Sequence, residues 1–373
     1  MNKNENTKHA PRIAIDAHVI EGRPQGSRTT LTNILREFAA LGFAERFALF
    51  CNDESLCRER VQANGFEYVA TESAGSIKRL TWVLPIALRR VRARQALWQY
   101  ISSPLFFGRN YVVVHDILPL THPRLFPFFF RLRSRLFFSF SMFFADRIFV
   151  VSDFGLVECL RLFPFLAPRL ILAPNGPSFA EDVYFQSAEA SEPRPRPYIL
   201  TVGRIEARKN IGLLVEAFRK TGIADVDLVL VGKCERGFSV DLSDNSQVFW
   251  HESIDDEALI ALYRGASLFV FPSEAEGFGL PLLDAILFGI PTISSRLTAM
   301  AEIAEGAARL FDPTASDAVP VLSELIRGHF SGNRIEAPTP AVRRAKAERY
   351  NWRRSARIMA DAMLTDAGAG KDV

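Results

Sequence analysis

The stretch YILTVGRIEARKNIGLLVEAFRK (Tyr198–Lys220) decides the fold, because it passes from an apolar strand through a glycine turn into a helix. Four further strand candidates follow it, DLVLVG, QVFW, SLFVFPS and PTISS, mostly separated by helical stretches, the last helix near Ala315–Arg327. Strands rich in Val, Ile and Phe that alternate with helices predict a parallel sheet covered on both faces. The second half of the chain is therefore predicted to be a doubly wound α/β domain.

The same pattern fills the first half of the chain. Its strand candidates are RIAIDA (Arg12–Ala17), RFALFC, YVVVH, RIFVVS and RLILAP. Between the two arrays, Pro177–Pro197 is polar, rich in proline and aperiodic, which is typical of a linker. The sequence predicts two Rossmann-like domains, 1–178 and 198–349, joined by a linker at 179–197 and facing a central cleft. Ligands of such folds bind beyond the carboxyl ends of the strands.

Composition excludes several classes of protein. The chain has 373 residues, 48% of them hydrophobic, with no run of about 18 uncharged apolar residues that predicts a membrane-spanning helix. The polar N-terminus MNKNENTKHAPR does not resemble a signal peptide, and the four cysteines have neither zinc nor haem spacing. A cytoplasmic protein is the expectation.

The first chemical motif is GRIEARKN (Gly203–Asn210), which follows a strand and opens a helix. Arg204, Arg208 and Lys209 place three cations near a helix N-terminus, where the helix macrodipole disfavours positive charge unless an anion lies between them. A diphosphate bound by these side chains and by backbone N–H groups would supply that anion. The alternative is a solvated basic turn.

The second motif is PSEAEGFGLPLLDAILFGIPTISS (Pro272–Ser295), which follows the strand SLFVF. Gly277 and Gly279 permit close approach of a ligand to the backbone, and Pro281 suits the first turn of a helix. Glu276 and Asp284 are separated by seven residues, and an acid at the position of Asp284 also favours the helix by itself. GFGLPL is not GxGxxG, so no dinucleotide fingerprint is assigned.

Together these motifs resemble the signature of family 4 of the retaining glycosyltransferases, which have the GT-B fold. GRIEARKN resembles the family's GR-x-x-x-x-K-(N/G) element, and the stretch from Glu276 to Asp284 resembles its E-x7-E element. Further stretches resemble the family in the right order along the chain: RIAIDA, PQGSRTT, VHDILPLTHP, FVVSDFG and APNG. The terminal helix, about 350–373, looks like the family helix that crosses back to the N-terminal domain.

The resemblance implies roles for the donor side. Arg204 and Lys209 would hold the donor diphosphate and stabilise the leaving group. Glu276 would contact the transferred sugar, Asp284 the ribose hydroxyls, and Ile254 lies where the family places the base. The family has Glu at the position of Asp284, so the carboxylate here is one methylene shorter.

Further positions follow from the same resemblance. His115 would lie beside the reacting anomeric carbon, and Gly26 and Ser27 belong to the glycine loop on the acceptor side. Backbone N–H groups of one loop would contact the sugar and phosphates: Gly277, Phe278, Gly279 and Leu280.

The predicted activity is retaining transfer of a hexose to a lipid-linked or surface-polysaccharide oligosaccharide, with mannose from GDP-mannose as the specific expectation. No cofactor and no metal are expected, because two cations can stabilise the departing diphosphate. The D-x-D triplet Asp225–Asp227 precedes a strand and is interpreted as solvated surface. Two alternatives remain open: a sugar-nucleotide epimerase or hydrolase of the same fold, and a degenerate binding homologue.

One local feature stands apart from these motifs. Between Lys78 and Arg135 there are eleven basic residues and one acid, Asp116, and FPFFFRLRSRLFFSFSMFF (Phe126–Phe144) is dense in phenylalanine. Three interpretations compete: two ordinary helices, including RRVRAR (Arg89–Arg94), with apolar faces in the core; a basic surface on an anionic membrane; or a nucleic-acid site. No nucleic-acid motif is present, and nucleic acid is not the expected partner. The expected location is cytoplasmic, peripheral on the inner face of the cytoplasmic membrane.

Overall fold

The computed structural model describes residues 13–22, 25–185, 194–235, 237–240 and 246–368. The chain divides into two compact units. Unit 1 comprises Met1–Gly176 and Asn351–Val373, and unit 2 comprises Pro177–Tyr350.

Unit 1 contains a seven-stranded parallel sheet in the order β3-β2-β1-β4-β5-β6-β7. Its strands are β1 (Ile13–Asp16), β2 (Phe47–Cys51), β3 (Glu67–Ala70), β4 (Gln95–Gln99), β5 (Arg109–Val114), β6 (Arg147–Val150) and β7 (Leu170–Leu172). Every residue of β1, β2 and β4 is buried. This burial is what a parallel sheet covered on both faces requires, and it explains why β1 and β2 are apolar runs rather than alternating ones.

Helices cover this sheet. They are α1 (His18–Glu21), α2 (Gly26–Ala40), α3 (Glu54–Val61), α4 (Ser76–Lys78), α5 (Leu84–Arg90), α6 (Leu118–Thr121), α7 (Phe128–Phe144) and α8 (Asp153–Leu162). A π-helical turn, Arg79–Val83, lies between α4 and α5. One apolar stripe of α2 is buried, with Leu31, Ile34, Leu35 and Phe38 in the core.

Unit 2 contains a six-stranded parallel sheet in the order β10-β9-β8-β11-β12-β13. Its strands are β8 (Tyr198–Val202), β9 (Asp227–Val231), β10 (Val248–His251), β11 (Leu268–Phe271), β12 (Thr292–Ser295) and β13 (Arg309–Phe311). Its helices are α9 (Glu181–Phe185), α10 (Ile211–Thr221), α11 (Asp256–Gly265), α12 (Leu280–Phe288), α13 (Ala299–Ala304), α14 (Ala318–Phe330) and α15 (Pro340–Arg349). The core includes Leu214 and Phe218 of α10 packed with Leu228 and Leu230 of β9.

The terminal helix α16 (Trp352–Gly368) belongs to unit 1 and packs on α2. Its inner face is buried through Ala356, Met359, Ala360 and Met363. Ser355 Oγ also donates a hydrogen bond to the carbonyl of Pro174, and so ties the helix to the APNG turn. The two Rossmann-like α/β domains are therefore confirmed, and the terminal helix lies in the first of them.

Some local predictions were wrong. The strand β4 was not predicted, because QALWQ begins and ends on glutamines that are nevertheless buried. RRVRAR is not one helix: α5 ends at Arg90, and Arg92 has a left-handed φ of 53°. Asp227 is buried at the start of β9 rather than solvated.

The helix predicted near Ala315–Arg327 is present in the structure as α14.

The segment expected to be a linker contains the helix α9, whose Tyr184 is buried against unit 2. Residues 186–193 of that segment lie outside the described residues. Among the helices that the structure describes, none has the length and apolar character needed to cross a membrane.

Candidate functional site

The turn after β8 is shaped by two glycines at the carboxyl ends of neighbouring strands. Gly203 has a φ of 147° and Gly232, after β9, a φ of 144°. A Cβ on Gly232 would lie 2.1 Å from the carbonyl oxygen of Gly203, so only glycine fits there. The two strand ends are also joined by a hydrogen bond of 2.9 Å from Gly203 N to the carbonyl of Val231. This close approach directs the basic octamer to the carboxyl edge of the sheet.

A cluster of five charged side chains, called the charge cluster below, is built on that turn. Arg208 lies at its centre, 2.6 Å from Glu206 and 2.8 Å from Glu276. Lys209 Nζ donates a hydrogen bond to the second oxygen of Glu276. Arg204 lies 3.8 Å from Glu206 and is 37% exposed. Three cations and two carboxylates leave a net charge of +1 at this edge of unit 2.

Burial makes these pairings strong. Glu276 and Lys209 each have side chains that are 9% exposed. Burial alone would raise the pKa of Glu276, but Arg208 and Lys209 outweigh it and lower that pKa to about 2. Burial lowers the pKa of Lys209, and the neighbouring Glu276 carboxylate opposes that shift. The sequence analysis expected negative charge between the three cations of the octamer. Glu206 and Glu276 supply part of that charge.

The second motif is held against the charge cluster by its backbone. Arg208 donates to the carbonyl of Ala275 at 3.0 Å, and Glu276 N donates to Thr298 Oγ1 at 3.0 Å. Thr298 has a φ of 54°, which costs energy for a β-branched residue and is characteristic of functional sites. The loop Gly277–Leu280 leads directly into α12. Phe278 packs edge-to-face on Tyr350 at 5.4 Å, and its side chain is buried.

In unit 1, His115 follows β5 and is 6% exposed. Its Nε2 lies 2.8 Å from Gln99 Oε1, at the end of β4, and its ring is tilted against Tyr100. Among the described residues, His115 Nδ1 and Gln99 Nε2 have no hydrogen-bond partner. Burial lowers the pKa of His115 to about 3, so the imidazole is neutral at neutral pH. With its proton on Nε2 for Gln99, it presents Nδ1 as a hydrogen-bond acceptor.

The glycine loop on the acceptor side is described only from residue 25 onward, since residues 23 and 24 lie outside the described part. Gly26 and Ser27 open α2, and Ser27 is buried. Thr30 Oγ1 lies 2.9 Å from the carbonyl of Gly26 and 3.1 Å from Asn175 Oδ1 of the APNG turn. Two motifs that are distant in sequence therefore meet at the start of α2.

Comparison with known proteins bears on unit 2. Residues 184–328 match the family model described as glycosyl transferases group 1. This match covers most of unit 2.

Two relatives from Escherichia coli extend the comparison. The O-antigen chain mannosyltransferase B is 31% identical over 195 residues, which cover 47% of this chain and 50% of that protein. The serotype-specific mannosyltransferase WbdA is 28% identical over 255 residues, which cover 61% of this chain and 31% of that protein. The chain thus spans about half of the first relative and about a third of the second.

A solved structure, the sucrose-phosphate synthase of Thermosynechococcus elongatus, has the same fold. It superimposes with a TM-score of 0.75 at 19% identity, covering 97% of this chain and 100% of that one. The GT-B fold predicted from the sequence is therefore confirmed.

In unit 2, Asp284 contacts other groups than those of the charge cluster. Its Oδ1 accepts hydrogen bonds from Tyr184 Oη at 2.5 Å and from Ser178 N at 2.9 Å. Burial raises the pKa of Asp284 to about 6, against the opposing effect of these hydrogen bonds. Contact of Asp284 with the ribose remains a prediction. Tyr184 could not be found from the sequence, because it lies 100 residues away in the expected linker.

Two further residues of the site were not assigned from sequence. Glu206 carries the second carboxylate of the charge cluster, and Thr298 fixes the loop. Arg208 was predicted as one of the three cations around a diphosphate, and the structure adds that it joins both carboxylates. Ile254 lies half-buried in the loop between β10 and α11, and its contact with a base remains a prediction.

Proposed function

We propose that the chain is a retaining hexosyltransferase, which moves a sugar from a nucleotide-sugar donor to a growing glycan. The observation that carries the proposal is the charge cluster in a domain that matches the family model of glycosyl transferases group 1. Cations fixed in advance around a point of developing negative charge are the largest single source of catalysis in many transferases. Here that charge is the departing nucleoside diphosphate.

The charge cluster suggests how the diphosphate is held. Arg204 is exposed and only loosely paired, so it can turn toward a phosphate at little cost. Lys209 is held close to Glu276, and a phosphate placed beside it would share its positive charge. Backbone N–H groups of Gly277–Leu280, at the start of α12, add donors and the positive end of the helix dipole. These groups together make metal-independent transfer our expectation.

His115 and Glu276 are proposed to hold the transferred sugar. A neutral His115 with a free Nδ1 accepts a hydrogen bond from a sugar hydroxyl and adds no charge of its own. Glu276 stays ionised through its pairing with Arg208 and Lys209, so it also accepts hydrogen bonds from hydroxyl groups. In the proposed reaction, the bond between the anomeric carbon of the donor sugar and the diphosphate oxygen breaks. The hydroxyl oxygen of the acceptor forms the new glycosidic bond on the same face of the sugar ring, and the leaving diphosphate accepts the proton of that hydroxyl group.

Mannose is the proposed sugar and GDP-mannose the proposed donor. The support is that two relatives are mannosyltransferases, one of them named for the O-antigen chain. The acceptor is proposed to be a surface-polysaccharide or lipid-linked oligosaccharide, on the same ground.

A membrane surface is proposed as the place of action, on the inner face of the cytoplasmic membrane. The helix α7 has apolar side chains on two sides: Phe138 and Met142 lie in the core of unit 1, as an ordinary helix would place them, while Phe129 is 82% exposed and Leu136 65% exposed. The core therefore accounts for only part of the apolar surface of this helix. An apolar face flanked by arginines suits the boundary between headgroups and acyl chains.

A groove beside α7 has the same character. It has a volume of about 510 Å³ and is lined mainly by apolar side chains, together with Arg131 and Arg135. Each cation near an anionic leaflet adds about 1 kcal/mol of attraction. Apolar surface and arginines side by side support peripheral association with anionic lipid.

One screen tests the proposed function. The melting temperature of the full chain is measured with GDP, UDP and ADP and with their sugars. Stabilisation by GDP and GDP-mannose, followed by transfer of mannose to an α-mannoside, is the expected result. Release of free mannose or an epimer without an acceptor would show the hydrolase or epimerase activity, and binding without any turnover would show a binding homologue.

A further inference from the structure

Three side chains form a second buried polar cluster, at the carboxyl end of β1 in unit 1. Asp16 is the last residue of β1 and its side chain is 2% exposed. One of its oxygens lies 2.8 Å from His18 Nδ1, and the other accepts a hydrogen bond from Arg79. The Arg79 side chain is 8% exposed, whereas His18 is 29% exposed and reaches the surface. Two buried charged groups thus support one accessible imidazole.

The geometry leaves one nitrogen of His18 for a ligand. Nδ1 lies between Asp16 at 2.8 Å and the Arg79 guanidinium at 2.6 Å, and it can bond to only one of them at a time. If Nδ1 donates to Asp16, Nε2 is an acceptor, and if Arg79 donates to Nδ1, Nε2 is a donor. Within the described part of the chain, Nε2 has no hydrogen-bond partner. A hydroxyl group matches both cases, because it both donates and accepts.

The ring is also held firmly in place. The four-residue helix α1 that carries it is pinned by Glu21, whose carboxylate accepts from Asn52 N at 2.5 Å and from Asp53 N at 2.7 Å. Arg60 donates to the carbonyl of Gly22 at 3.1 Å, and so fixes the end of the same helix. Arg79 begins the π-helical turn, a feature frequent at functional sites. Such a supporting shell is what a binding group needs to keep its geometry.

The position of His18 relates it to His115. Strand β4 separates β1 from β5 in the sheet, and all three run in parallel. His18 and His115 therefore follow strands that end at the same edge, two strand spacings or about 10 Å apart. A disaccharide can bridge that separation.

We infer that His18, oriented by Asp16 and Arg79, binds a hydroxyl group of a mannose-containing acceptor beside the reacting sugar. The inference rests on the proposed function, since it gives that reaction its acceptor subsite. Asp16 and Arg79 are positioning residues, while His18 itself touches the acceptor. The reacting hydroxyl and its proton are not assigned to this cluster.

The test uses α-mannobiose as the probe and the imidazole signals of the full-length protein in ¹H–¹³C NMR. The His18 signal is assigned by its loss in His18→Gln. Titration with mannobiose should shift this signal saturably. In a binding assay, affinity for the probe should fall at least tenfold in His18→Ala and at least threefold in Asp16→Asn.

The matched control is His122→Gln, a half-buried histidine of the same unit, which should leave mannobiose affinity within twofold of the wild type. A cooperative melting transition and a nucleoside-diphosphate affinity equal to that of the wild type show that each variant is folded. A His18 signal unmoved by mannobiose, or unchanged affinity in His18→Ala, overturns the inference. Failure of the proposed function is a separate result: it appears as wild-type protein that binds no nucleoside diphosphate, whatever His18 does.

Discussion

At Arg204, the exposed arginine of the charge cluster, a substitution can change ligand binding without changing stability. Arg204 is 37% exposed and lies 3.8 Å from its nearest carboxylate, Glu206. An ion pair of that kind contributes less than about 0.5 kcal/mol to folding. A charge-assisted hydrogen bond to a phosphate is worth about 1.5–3 kcal/mol. Arg204→Ala should therefore leave the free energy of unfolding nearly unchanged and weaken nucleoside-diphosphate binding by about tenfold to a hundredfold.

Lys209 provides the contrast. Its removal leaves the buried Glu276 carboxylate with Arg208, which lies 2.8 Å away. Removing the only partner of a buried charge costs about 3–5 kcal/mol, and with one partner remaining we expect Lys209→Ala to cost about 1–3 kcal/mol of stability. It should lower nucleotide affinity as well.

Calorimetric titration and urea unfolding measure both quantities on the same samples. Arg161→Ala is the matched control, because that arginine is 57% exposed and paired with Glu158 on the surface of unit 1. It should change neither quantity appreciably. Unchanged nucleotide affinity in both Arg204→Ala and Lys209→Ala would refute the assignment of the charge cluster to the diphosphate.

Further outcomes are expected. Turnover should survive EDTA, and a requirement for added manganese or magnesium would contradict the assignment of the leaving-group charge to Arg204 and Lys209. His115→Ala should lower turnover strongly with little change in nucleotide affinity, and the product should keep the α-configuration by NMR. Since the pKa of His115 is about 3, no inflection from this residue should appear in the pH–rate profile between pH 5 and 8. A raised pKa of about 6 means that Asp284 binds its proton more tightly in the folded state, so stability should fall by up to about 3 kcal/mol as pH rises from 4 to 6. In Asp284→Asn, the free energy of unfolding measured with urea should no longer fall between pH 4 and pH 6. If it falls as in the wild type, another group causes the pH dependence. The wild type should sediment with vesicles containing phosphatidylglycerol but not with pure phosphatidylcholine vesicles, and Phe129→Ser combined with Arg131→Glu should abolish sedimentation. Sedimentation of the double variant at the wild-type level would exclude α7 as the membrane surface.

The sequence predicted those parts of the molecule that depend on neighbouring residues. The order strand, glycine turn and helix around Gly203 is local, because the strand is a run of apolar residues and the glycine φ is set by the turn. The location of His115 at the end of β5 followed from the same logic.

What could not be predicted depends on contacts between distant residues. The Asp16–Arg79 pair joins residues 63 positions apart, and the Tyr184–Asp284 bond joins residues 100 positions apart. No local pattern encodes either. The strand β4 was missed because it begins at Gln95 and ends at Gln99, and polar residues at both ends of a short apolar stretch are typical of a loop. Both glutamines are in fact buried.

The attachment of α16 to α2 has a consequence for synthesis on the ribosome. Unit 2 is one continuous stretch, whereas unit 1 is completed only when residues 351–368 have emerged. Until then the surface of α2 on which α16 packs has no cover. Unit 2 can therefore complete its folding before unit 1 does. The nascent unit 1 lacks its terminal helix during the whole synthesis of unit 2.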